Sequence, residues 1–256
     1  MTNPPAQAIQ MKEGLNRAIR RWDLVALLVN VTVGAGILRL PSEVAKTVGG
    51  VYSLAAFVVC AVTIGLIVLC FAEVASRFNE TGGPYLYARQ AFGPAFGFIV
   101  GWLMWITRLA GFATLIDVFV AYLGYFWPSA TTGLLRATII TVIVAVLTAL
   151  NVIGVRESTL ASNVSTVSKL VPLLMFVAVG IFFVEPGRFY NVPKPGLGSF
   201  SSAVFILIYV FSGFEAVLVN SGEIREAQRN IPFALITALT LSVALFLLIQ
   251  IVCVGT

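Results

Sequence analysis

Glycines and isolated charges, rather than nucleophiles or metal ligands, are the residues of this chain whose spacing suggests chemistry. There is no histidine among the 256 residues, which removes imidazole catalysis, imidazole metal sites and imidazole pH switching. Cys60, Cys70 and Cys253 sit alone in apolar runs. They fit neither a disulfide framework nor a zinc pattern, and read as core packing. No nucleophile-elbow, zinc-protease or phosphate-loop motif occurs, so no enzyme, cofactor or metal is expected. What remains is a pair of weak points in long apolar segments. The first is Asn30-Val-Thr-Val-Gly34-Ala-Gly36; the second is Tyr209-Val-Phe-Ser-Gly-Phe-Glu215. Glycine weakens a helix by about 1 kcal/mol relative to alanine. In a bilayer, backbone groups freed at a break are tolerated only where protein or a wet cavity covers them. A half-helix N-terminus favours an anion, and unwound carbonyls favour a cation. Two such ends together suit a zwitterion. The competing reading is that Gly34 and Gly36 are close-packing residues of an unbroken helix.

Charges inside apolar segments sharpen the choice, because each costs at least ~2.5–3.5 kcal/mol on insertion scales. Arg108 lies near the middle of one segment, and Asp117 is nine residues further along. That offset is about half a turn round and ~13 Å along a helix, so the two cannot pair. Glu215 has a depth similar to Arg108. It is either a partner for a basic residue or a protonatable gate.

The elements that must position these residues are membrane helices. The chain is 59% hydrophobic and 11% charged, against roughly 45–50% and about 25% in soluble domains. That excludes an ordinary soluble domain, and disorder as well. After a polar tail over residues 1–23 come seven apolar segments, about 24–48, 51–71, 95–122, 134–152, 163–184, 199–221 and 233–254. Each is long enough to span a bilayer and must be helical there. Gly82-Gly83-Pro84 and Gly93-Pro94 bracket a short interfacial helix over about Pro84–Phe92, with its tyrosines expected at headgroup level. Gly93, Gly97 and Gly101 make a small-residue stripe for close helix packing. With the N-terminus inside, ten of the 16 Lys and Arg residues fall on the inner side and five on the outer, with Arg108 within a span. This bias sets the N-terminus in the cytoplasm and explains the net charge of +5 without nucleic acid.

Four motifs in order resemble one family. They are Gly34-Ala-Gly-Ile-Leu38 with Leu40-Pro-Ser42; Phe71-Ala-Glu-Val-Ala-Ser-Arg-Phe78 with Thr81-Gly-Gly-Pro-Tyr-Leu-Tyr87; Phe92-Gly-Pro-Ala-Phe-Gly-Phe98 with Gly101-Trp102; and Tyr209 to Glu215 with Gly222-Glu223 and Arg229-Asn-Ile-Pro232. The chain resembles the amino acid–polyamine–organocation superfamily, in its bacterial amino acid permease branch. The resemblance implies an all-α transmembrane, LeuT-like inverted-repeat transporter fold with discontinuous helices 1 and 6. Residues 24–184 would form the first five-helix repeat and 199–256 the start of a second. It also implies a secondary active transporter of amino acids, proton-coupled, in the cell membrane. The substrate carboxylate would meet amides of Gly34, Ala35, Gly36 and Ile37. Its ammonium would meet carbonyls near Thr32, Val33, Phe211, Ser212 and Gly213, beside Phe214, with Phe211 as an aromatic lid. Glu215 matches an acidic gating position. Lys169 matches a lysine that takes the place of a sodium ion in proton-coupled members; its other reading is a snorkelling interfacial lysine.

Two positions depart from the family pattern. Arg39 stands where a small or apolar residue is expected, and either biases selectivity or snorkels outward. Ala227 stands where proline is common. Relatives have ten or more helices, so seven suggest a fragment or a shortened chain, truncated within the second repeat. Such a chain would need its missing C-terminal helices, an oligomer or another polypeptide to complete the site. The alternative from another class is a non-transporting membrane protein that binds a partner permease or senses an amino acid. The particular amino acid is not legible, because the broken-helix ends recognise groups that all amino acids share.

Overall fold

The computed structural model describes residues 19–34, 36–78, 80–153, 155–190 and 192–256. Ala35 therefore lies outside the described residues. The described residues form helices and connections, with no named strand among them. In order these are α1 (Arg21–Thr32), α2 (Gly36–Val48), α3 (Gly50–Ala75), α4 (Pro84–Phe92), α5 (Pro94–Phe126), α6 (Gly133–Ile153), α7 (Val155–Gly180), α8 (Gly187–Tyr190), α9 (Leu197–Phe211), α10 (Phe214–Leu218) and α11 (Ala227–Gly255). Among the described residues six stretches are long and apolar enough to cross a membrane, α9 and α10 together counting as one. The pair α1–α2, bent by 51° at its break, makes a seventh. These are the seven segments that the apolar pattern predicts.

α3 and α11 form the spine. They pack along each other, α1 lies on α11, and α9 lies on α3. Phe57, Phe211 and Phe246 are among the largest fully buried side chains of this core. By contrast, α5 and α6 expose Trp102, Trp105, Leu147 and other large apolar side chains. An apolar face that does not pack on protein suits lipid. Cys60 is buried in the core, whereas Cys70 is exposed. Cys70 thus corrects the reading of all three thiols as core residues.

The short helix α4 has the bounds that its glycines and prolines predict. Pro84 occupies the first turn and Gly93, at φ 94°, ends it. Gly83 has φ 52°, and a Cβ there would stand 3.0 Å from the Val219 nitrogen. Only glycine lets this loop press so closely on the end of α10. The glycine stripe serves the α4–α5 packing: a Cβ on Gly97 would meet Arg89 Cβ at 2.6 Å, and one on Gly101 would meet the Tyr85 ring at 3.1 Å. The two tyrosines of α4 differ in exposure. Tyr87 is buried against Phe78, with ring centroids 4.7 Å apart. Tyr85, two residues earlier on α4, remains partly exposed.

Candidate functional site

The first break begins where α1 loses its hydrogen-bond ladder. Val33 still donates to the Val29 carbonyl at 2.8 Å, but the Gly34 amide donates to Thr32 at 2.9 Å. The Asn30 carbonyl is thereby released from the next helical bond. Lys169 Nζ, from the middle of α7, donates to that carbonyl. A cation at a helix C-terminus meets both an orphan acceptor and the negative end of the dipole. The ammonium therefore engages α1 within the span rather than snorkelling to an interface. The buried side-chain oxygen of Asn30 has no hydrogen-bond partner among the described residues.

The second break is built differently. α9 ends at Phe211, Ser212 is extended, and Gly213 has φ 117° before α10 starts at Phe214. The Gly213 amide donates to Glu215 Oε2 at 2.9 Å. Glu215 Oε1 accepts from Arg108 of α5 at 3.2 Å. Both carboxylate oxygens are thus occupied, one by the broken helix itself and one by α5. Asp117, which the helix geometry separates from Arg108, pairs with Arg136 of α6. The two breaks touch: a Cβ on Gly213 would stand 3.0 Å from Val31 Cγ1.

Between the breaks lies a cavity of about 320 Å³. Thr32, Gly34, Gly36, Arg108, Ser212, Gly213 and Glu215 line it, joined by Val31, Thr107, Gly111, Phe112, Leu115, Tyr209 and Val210. Four expected residues are not in this wall. Val33, Ile37, Phe211 and Phe214 are buried in the packing. Phe211 stacks edge-on against Phe246 at 5.1 Å, and Phe214 against Phe71 at 5.5 Å. Helical phase explains this, since Tyr209, Ser212 and Gly213 share the cavity side of the break and Phe211 points away. Two aromatic residues line the cavity, Phe112 and Tyr209, and the Tyr209 ring lies 3.4 Å from where a Gly36 Cβ would be. The sequence offered one signal for Tyr209: with Phe211 and Phe214 it is one of the three aromatic residues of the same motif.

Two further cavities adjoin the central one. One of about 490 Å³ shares Gly36, Leu115 and Tyr209 and extends past Arg39 and Thr47. Arg39 faces this side, exposed, 4.0 Å from Glu43 one turn along α2. The other, of about 220 Å³, shares Thr107, Arg108 and Glu215 and extends past Val100 toward the start of α5. Tyr209 stands at one end of the central cavity and the Arg108–Glu215 pair at the other.

Fold and site together define a multi-pass α-helical membrane protein with two interrupted helices around a central cavity that holds a charge pair. Comparison with known proteins gives the family. A family model described as "Amino acid permease" matches residues 19–256, and the chain belongs to this family of permeases, not to a family of enzymes. It is 27% identical to the methylthioribose transporter of Bacillus subtilis over 95% of its length and 56% of the relative's. It is 27% identical to the branched-chain amino acid permease BcaP of Lactococcus lactis, over 94% of this chain and 56% of the relative. The arginine/ornithine antiporter of Pseudomonas aeruginosa is 27% identical over 96% of this chain and 53% of its own length. The chain spans about half the length of the curated relatives it matches.

Proposed function

We propose that this chain takes part in secondary active transport of amino acids by alternating access, with the substrate held in the cavity between the two breaks. The observation that carries the reading is convergence: the broken ends of α1, α2, α9 and α10 open on one cavity that also holds a charge pair. The amides that begin α2 at Gly36 and Ile37 would meet the carboxylate, aided by the helix dipole. The freed backbone at Thr32, Val33, Phe211, Ser212 and Gly213 would meet the ammonium. Gly34 and Ala35, the latter outside the described residues, belong to the same proposed carboxylate set.

The Arg108–Glu215 pair then acts as the gate on the side where α5 begins. Protonation of Glu215 removes its charge, weakens the bond to Arg108 and opens that end. Lys169 is the second proton-linked group. Neutralising it weakens its hold on the Asn30 carbonyl and frees α1 to tilt. We assign the N-terminal side to the cytoplasm from its excess of Lys and Arg, and residues 24–184 and 199–256 to the first repeat and the start of the second. A second reading is amino acid binding without flux. It is favoured by the wall of the cavity at Arg108, whose side chain is 47% exposed in this chain.

The test is uptake of a labelled amino acid mixture into proteoliposomes holding the chain, with and without an inward proton gradient. The reading requires uptake that the gradient stimulates. Binding without uptake by folded protein supports the second reading, and neither binding nor uptake by folded protein removes both.

A further inference from the structure

A separate site lies at the membrane face where α1 and α11 begin. A concavity of about 620 Å³ is lined by Arg20, Arg21, Arg225 and Arg229, with Glu226 as its one carboxylate, and by Trp22, Asn230 and Phe233. The pocket is held in shape by backbone. Ile19 and Ile224 form a parallel bridge. In it the Ile19 amide donates to Glu223 at 3.2 Å and the Arg225 amide to Ile19 at 3.0 Å. That bridge fixes the stretch carrying Arg20 and Arg21 against the stretch leading to Arg229. Asn230 Nδ2 ties the Arg225 carbonyl to the first turn of α11 at 2.5 Å. The Arg21 guanidinium lies 5.3 Å from the Phe233 ring centroid, and Trp22 meets Phe233 edge-on at 5.5 Å. Both helices start here, so the positive ends of two dipoles add to the arginines.

Charge, shape and depth point to one occupant. An excess of guanidinium groups demands an anion, and a planar fork suits the oxygens of a phosphate. The aromatic floor demands something apolar attached to that anion. Trp22 is 58% exposed at the end of a membrane helix, where tryptophan marks the headgroup level. We propose that this pocket binds the phosphodiester headgroup of an anionic phospholipid. Arg21 and Arg229 hold the phosphate, and Trp22 and Phe233 pack against the glycerol and first methylenes. A simple topological excess of positive charge requires neither the bridge nor the aromatic floor. Arg77, on the same face outside the pocket, is paired with Glu73 at 2.6 Å.

The test is thermal-shift titration of the purified chain in neutral detergent with three probes: dioctanoyl phosphatidylglycerol, dioctanoyl phosphatidylcholine and inorganic phosphate. The proposal predicts saturable stabilisation by phosphatidylglycerol that exceeds both other probes. Each arginine at an anionic lipid is worth about fivefold, so Arg21→Gln with Arg229→Gln lowers the apparent affinity roughly 25-fold. Arg77→Gln with Arg89→Gln, which removes the same charge from the same face, leaves it unchanged. If the first double variant does not fold, Arg229→Gln alone, at an exposed position, carries the comparison with about a fivefold loss. Equal stabilisation by phosphatidylcholine, or unaltered affinity in the Arg21 and Arg229 variants, overturns the proposal. Equal stabilisation by inorganic phosphate overturns it too, because the site then takes a free anion.

Discussion

The two breaks solve the same problem by opposite means. Between α1 and α2 the chain bends by 51°, and the freed carbonyl of Asn30 is met by Lys169 from far along the sequence. Between α9 and α10 the two pieces make up one span, and the freed amide of Gly213 is met by Glu215 two residues on. Only then does a distant residue, Arg108, join. The first break depends on tertiary packing for its closure, whereas the second is closed locally and neutralised from outside. A bend held by one ammonium is the part able to swing. A turn tied into itself is the part able to report a proton.

Variants can break or sharpen this contrast. Glu215→Gln should have the largest effect. It strands Arg108 in the span, and an unpaired charge there costs ~2.5–3.5 kcal/mol. Thermal unfolding in detergent should show a clear drop, and adding Arg108→Gln should recover much of it. No recovery in the double variant would mean the two groups act separately. Lys169→Met should cost about 1–3 kcal/mol, because the Asn30 carbonyl loses its partner. It should also abolish gradient-stimulated uptake, and uptake as steep as in the parent would remove the coupling role.

The glycines give the finer comparison. Gly213→Ala forces a side chain into φ 117° beside Val31, a strain of about 1–3 kcal/mol. Gly34→Ala meets nothing within 4 Å and should change stability by less than ~1 kcal/mol. Melting curves of the two variants side by side check this, and equal losses would contradict the assigned geometries.

Much of this arrangement was legible in the sequence, for identifiable reasons. Gly-Gly-Pro and Gly-Pro are strong local punctuation, and they bracket α4 at Pro84 and Phe92. Charges in apolar helices are rare enough that Arg108 and Glu215 stood out, and equal depth suggested their pairing. The facing of aromatics was not legible. In a span apolar on every side, periodicity carries no phase, so nothing distinguished Tyr209 at the cavity from Phe211 in the core. The second partner of Glu215 was hidden as well, because an amide turned back by a left-handed glycine leaves no mark in side-chain spacing.

The central claim is that both breaks serve one zwitterion site. Equilibrium binding of a labelled amino acid mixture to the purified chain tests it, with competitors that lack either the carboxylate or the amine. The account predicts that intact amino acids displace the label and that simple amines and simple carboxylic acids do not. Displacement by either half-ligand as effectively as by the whole, or no binding to demonstrably folded protein, would contradict it.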